Sequence, residues 1–191
     1  MLLVLRIVVH LFAPFAPEVY IVLVNLLTYV LDYFYTPTSK KTPGGSFTPR
    51  DICIPPAIAI PGTIKPGRVG SAYPTLVFEF AHRHEGWQRL KDEARERAFA
   101  AMTSIQVFVG VKIYTSAFQA FWARRSPTAV GMNIMQSTPR LPIANPTDIV
   151  FMIPAVHIFW GCGPNYQLPP LPSANLVLSM EHLRLAIIDE M

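Results

Sequence analysis

The sequence predicts an α/β fold, and three consecutive stretches carry that prediction. Residues 73–81 (YPTLVFEFA) and 104–114 (SIQVFVGVKIY) are short, nearly continuous apolar runs rich in β-branched and aromatic side chains. That is the composition of strands buried on both faces. Between them, Trp87, Leu90, Ala94, Ala98 and Ala101 recur at spacings of three and four, which lines one apolar stripe along a helix over 87–101. Strand, helix and strand in this order form a crossover unit whose strands are parallel neighbours joined by a right-handed connection.

The 191 residues accommodate one domain with extensions, since domains commonly run to about 100–150 residues. Residues 1–35 form two apolar blocks separated by APFAPE at 13–18. The first, 2–12, is interrupted by Arg6 and His10 and has no basic leader before it, a poor fit to a cleaved secretory signal. The second, 19–31, contains Asn25 and Thr28 and falls short of the roughly 18–20 residues of a spanning helix. Tyr33, Tyr35, Lys40 and Lys41 after it nevertheless resemble interface anchors and a cytoplasmic flank. Three readings stand for this apolar helical leader: a membrane anchor or hairpin, a helix packed on the domain, and sequence outside the folded unit. Residues 36–50 (TPTSKKTPGGSFTPR) hold too little apolar surface to order themselves and read as a linker.

Residues 51–191 are the domain. Asp51 heads a short apolar run that Pro55, Pro56 and Pro61 confine to an edge strand, with 58–60 continuing it. Residues 62–71, with Pro66, Gly67 and Gly70, are a loop. In 73–81, Pro74 favours an extended Tyr73. Alternation then puts Thr75, Val77 and Glu79 on one face and Leu76, Phe78 and Phe80 on the other. Glu79 is the most informative residue of the chain. A carboxylate among such neighbours costs on the order of several kcal/mol unless a metal, a lysine or backbone donors compensate it. The helix charges Lys91, Asp92, Arg95 and Glu96 fall mostly off the apolar stripe.

Beyond the second strand, residues 118–125 (FQAFWARR) continue or follow it, and Arg124 and Arg125 are either a solvated turn or a phosphate contact. Residues 131–146 read as a strand-poor, proline-broken loop. Residues 148–160 (DIVFMIPAVHIFW) are divided by Pro154, which favours two short strands or a kinked buried segment over a membrane span. A loop of polyproline character follows at 161–172, then a last strand at 176–178 and an amphipathic helix at 180–189. The sequence shows no glycine-rich phosphate cradle, zinc spacing, nucleophile elbow or internal repeat.

Hydrophobic residues make up 51% of the chain and charged ones 15%, below the roughly one quarter that is usual; much of the apolar excess lies in the first 35 residues. Sixteen basic against twelve acidic residues give +4, which permits a polyanionic partner without marking one. The densest basic cluster, Arg83, Arg89, Lys91, Arg95 and Arg97, is interleaved with acids. Cys53 and Cys162 lie far apart in apolar surroundings and read as reduced, buried thiols of an intracellular protein.

The run YPTLVFEFA, the helix bearing Trp87, Leu90, Asp92 and Ala94, and the run SIQVFVGVKIY together resemble a group of fungal proteins. Those proteins are similar to the Uma2-type branch of the PD-(D/E)xK, or restriction-endonuclease-like, superfamily. The resemblance covers roughly residues 48–120. It implies a mixed sheet flanked by helices and a nuclease that hydrolyses phosphodiesters of nucleic acid with a divalent metal, usually Mg²⁺. Carried across, it proposes Asp51 and Glu79 as metal-binding carboxylates. The Pro-Asp element is matched at 48–51 (TPRD) only with Arg50 inserted. Ala81 stands where the superfamily lysine belongs; in Uma2-type relatives that lysine comes from the following helix, which makes Lys91 the catalytic candidate and Lys112 a second one. The Ser-Glu-Ser-like segment of relatives is His82-Arg83-His84-Glu85 here, so Glu85 is the carboxylate that remains. Against this stand blander readings: Asp51 as a turn residue, Lys91 as a solvated helix charge, His82 and His84 as weak metal candidates, and His157 and His182 as structural or surface residues. Two functions follow, a metal-dependent nuclease and a catalytically degraded structural or interaction domain. A third reading, a small membrane protein, rests on residues 1–35 alone, and association with a membrane through that leader is compatible with the second.

Overall fold

The computed structural model describes residues 45–47, 75–81, 85–99, 105–127, 131–160 and 175–188. The leader at 1–35, Asp51 and the strand expected beside it, His82, His84, both cysteines and the loop at 161–172 lie outside the described residues.

The elements are β1 (Gly45–Phe47), β2 (Leu76–Ala81), α1 (Trp87–Glu93, continued by a π-helical turn over Ala94–Ala98), β3 (Val107–Ile113), β4 (Ala117–Arg125), β5 (Met132–Ser137), β6 (Leu141–Pro142), β7 (Val150–Pro154), α2 (Ala155–Ile158), β8 (Asn175–Ser179) and α3 (Met180–Ile188). β1 to β5 form one sheet in sequence order, and β6 also pairs with β4. The architecture is α/β with a mixed sheet. β2 and β3 run parallel around α1, as the crossover unit requires, and the other pairings are antiparallel. Gly45–Phe47, which composition reads as linker, pairs with the first half of β2.

Both faces of this sheet are covered, which explains why β2 and β3 read as unbroken apolar runs. On one face Val77, Phe108, Phe121 and Ala123 pack against Leu90, Ala94 and Ala98 of the helix. On the other, Phe78, Val109, Val111, Ala120 and Trp122 meet Phe151 and Ile153 of β7, Leu176 and Leu178 of β8, and Leu183 and Ile187 of α3. The alternation in β2 therefore sorts its side chains as expected, with Glu79 on the helix side.

Two polar residues, Thr75 and Arg125, tie the crossover to its neighbours. The Thr75 carbonyl accepts from the Gln106 and Val107 amides at 2.8 and 2.9 Å, and the Thr75 hydroxyl donates to the Ile158 carbonyl. Arg125 donates to the carbonyls of Ile105 at 2.9 Å and Phe99 at 3.3 Å, holding the chain between α1 and β3. Burial pulls its pKa below the usual guanidinium range. Arg125 is thus a tie between elements, and neither a solvated turn nor a phosphate contact describes it.

The chain departs from expectation at 131–146, where β5 and β6 replace the loop. β5 is exposed along nearly its whole length, so MNIMQS carries no alternating pattern to announce a strand. Its ladder with β4 supplies the order, together with a 2.9 Å hydrogen bond from Trp122 Nε1 to Gln136 Oε1. At 148–160 a single strand is followed by a short helix, with Pro154 at the junction, a position where proline's missing amide matters little. Among the described residues no helix is long and apolar enough to cross a membrane.

α3 is anchored by a forked pair. Arg184 donates to both Glu181 oxygens at 2.6 and 2.7 Å and to the Ile143 carbonyl at 2.8 Å. The hydrogen bond from Arg184 holds the Glu181 carboxyl below its ordinary value of 4.5. A lowered folded-state pKa contributes stability above the unfolded value and loses it as pH falls through the folded one. Glu181→Gln is therefore expected to lower the neutral-pH melting temperature and to flatten its fall below about pH 4.5. Parallel acid limbs for variant and wild type would refute this.

Candidate functional site

Glu79 lies in mid-β2 with 2% of its surface exposed. The register sets it beside Gly110 of β3, and sets Ala81 beside Lys112. Paired residues of adjacent strands share a face, so Lys112 lies on the helix side with Glu79, one pleat nearer the carboxyl end. Diagonal neighbours of this kind are about 7–8 Å apart at Cβ, within reach of long side chains. Lys112 is itself only 4% exposed. The sheet thus sets an acidic and a basic side chain as diagonal neighbours in a dry layer, and each of the two makes a hydrogen-bonding, ionic or ring interaction.

The apolar wall around the pair depends on Gly110. A Cβ at this position would stand 2.8 Å from Phe121 Cζ and 3.1 Å from Leu90 Cδ2, so the Phe121 ring occupies the space a side chain would need. Phe121 stacks on Phe108 at 5.8 Å and takes Trp87 edge-on at 5.2 Å. Trp87 opens α1 directly after the carboxyl end of β2. Ligand sites of α/β sheets form at such strand ends.

Past Lys112, the same face ends in a polar cluster. Tyr114 lies under two cations, with Lys112 Nζ 5.5 Å and Arg140 Cζ 4.2 Å from its ring centre. Its hydroxyl donates to Gln119 Oε1 at 3.5 Å, and Gln119 Nε2 donates to the Thr138 carbonyl at 3.0 Å. Gln119, Thr138 and Arg140 carry no motif, and only the β3–β4 and β4–β5 registers together gather them, so sequence reasoning missed them.

Lys91 is half-buried, with its Nζ 5.0 Å over the ring of Trp87 one helical turn earlier. The fold therefore sets Lys112, the second lysine candidate, on the face of Glu79, and rests Lys91 on its own helix. Asp51 lies outside the described residues. Glu85 is half-buried just before α1. His157 is half-buried, its pKa pushed down by burial and then by Arg124. Both residues belong to the amino end of the parallel strands, where Arg124 pairs with Val107. His182 is exposed on α3.

Mg²⁺ takes oxygen ligands in near-octahedral geometry, commonly one or two carboxylates with waters and substrate phosphates. Glu79 supplies a carboxylate of the right chemistry. Among the described residues no group of three or more His, Cys, Asp or Glu side chains converges to hold a metal. No family model, no curated protein and no solved structure matches the chain.

Proposed function

We propose that this chain is a divergent restriction-endonuclease-like domain that hydrolyses phosphodiesters of nucleic acid with a divalent metal. In this reading Glu79 and Asp51 are the carboxylates, and Lys112 stands in for the lysine displaced by Ala81, taking the role that the sequence offers to Lys91. The single observation that supports it is the burial of Glu79 and Lys112 on one face of adjacent parallel strands, at 2% and 4% exposure. Ordinary sheet residues give no reason for that placement.

Glu79 and Asp51 would hold Mg²⁺. When bound, such a metal lowers the pKa of water and offsets charge developing on phosphate. The chain's own contribution is electrostatic. An ammonium held in a water-poor layer acts on developing negative charge without reorganising, and removing one such donor typically costs about 10²–10³ in rate. Phe121, Phe108 and Leu90 keep that layer dry.

One feature favours the second reading, a domain that binds without cutting: neither charge reaches the surface to any extent. Cleavage of plasmid and single-stranded DNA by the full chain, with Mg²⁺ or Mn²⁺, separates the two. On the catalytic reading Glu79→Gln, kept below its melting temperature, loses both cleavage and the calorimetric signal of metal uptake. Lys91→Met retains the metal uptake. A wild-type chain that takes up no metal and cuts no substrate defeats the catalytic reading.

A further inference from the structure

We infer that the helix-side face at the carboxyl end of β3 is a contact surface for the phosphodiester backbone of a nucleic acid, with Arg140 and Lys91 as its cations and Tyr114 and Trp87 as the platforms beneath them. The inference rests on the same face as the proposed function but requires no chemistry at Glu79.

The residues form one continuous line. Lys91 lies over Trp87, Trp87 abuts Phe121, and Gln119 follows on the same face of β4, two residues from Phe121. Gln119 then accepts from Tyr114, whose ring carries Arg140 at 4.2 Å. Three described cations pair with acids: Arg95 with Asp92, Arg97 with Glu93 and Arg184 with Glu181. Among the described residues neither Arg140 nor Lys91 has a carboxylate partner, and each is held by an aromatic ring instead.

A guanidinium stacked on a ring keeps its charge, and its planar fork suits phosphate. Cations interleaved with aromatic rings along one groove are the chemistry that tracks a single strand: phosphates meet the charges and bases stack on the rings. The exposed side chain of Arg140 lies in the short connection between β5 and β6, where a passing strand meets no covering element among the described residues. The net charge of +4 adds a weak long-range attraction of the same sign.

The test is fluorescence anisotropy of the full chain with a labelled single-stranded oligonucleotide of about 20 nucleotides, longer than a typical site, in EDTA so that nothing is cut. Arg140→Glu and Lys91→Glu should each weaken binding on the order of tenfold at low salt. Arg140→Gln should reduce the slope of log affinity against log salt by about 0.7, the value for one phosphate contact on a single strand. Arg95→Glu, on the far part of α1, should change neither. Melting curves of each variant establish that the fold is intact. Unchanged affinity and slope in Arg140→Glu would overturn the inference. So would Arg140-dependent binding to phosphatidylserine vesicles by a chain that ignores the oligonucleotide. Arg140-dependent binding without any cleavage ends the catalytic reading and leaves this surface standing. Metal-dependent cleavage with binding indifferent to Arg140 does the reverse.

Discussion

Exchanging Lys112 for methionine is expected to destabilise the fold by about 3–5 kcal/mol, the usual consequence of leaving a buried charge without its counterpart. The same change made together with Glu79→Leu is expected to recover most of that loss. Both side chains are nearly excluded from solvent and lie diagonally across adjacent strands. Two desolvated charges in this arrangement can offset one another, while an apolar pair of similar volume has no desolvation to offset. Urea unfolding of the wild type, both single variants and the double variant measures the coupling directly. A Lys112→Met loss below about 1 kcal/mol, or a double variant whose loss equals the sum of the singles, would show that the two charges are compensated separately.

Gly110→Ala is expected to cost about 1–3 kcal/mol by overpacking, although the position is in mid-strand, where alanine is ordinarily the better residue. The added methyl would come within 2.8 Å of Phe121 Cζ and 3.1 Å of Leu90. Neither neighbour can yield freely, because Phe121 is held between Phe108 and Trp87. The diagnostic result is non-additivity: in a Phe121→Leu background the alanine should be tolerated much better than in the wild type. Equal costs in the two backgrounds, or a stabilising Gly110→Ala, would place the constraint elsewhere.

Much of this was legible in the sequence, for identifiable reasons. The apolar runs of β2 and β3 and the three-and-four spacing of α1 are local signals, and the parallel pairing followed from their order. The helix ends earlier than its periodicity suggests, in a π-helical turn closed by a 3.0 Å bond from the Phe99 amide to the Ala94 carbonyl. β5 could not be read because its side chains face solvent, so the pattern that reveals a strand is missing. Glu79 stood out as a charge in an apolar run. That Lys112 would face it was less accessible, because two residues 33 positions apart share a face only once the register is known. Arg140 lay further out of reach, since its association with Tyr114 depends on β4 folding back along β3 and β5 along β4.

The large sheet also limits its own growth. Its β5 margin is bent by an irregular register between Trp122 and Ala123, and β4 divides its outer side between β5 and the two-residue β6, whose Pro142 carries no amide hydrogen. A foreign chain laid along that side meets a kinked, interrupted row of donors and acceptors, a poor template for annealing. The exposed Ile134 and Met135 can therefore stand in water there without inviting copies of the molecule to stack edge to edge.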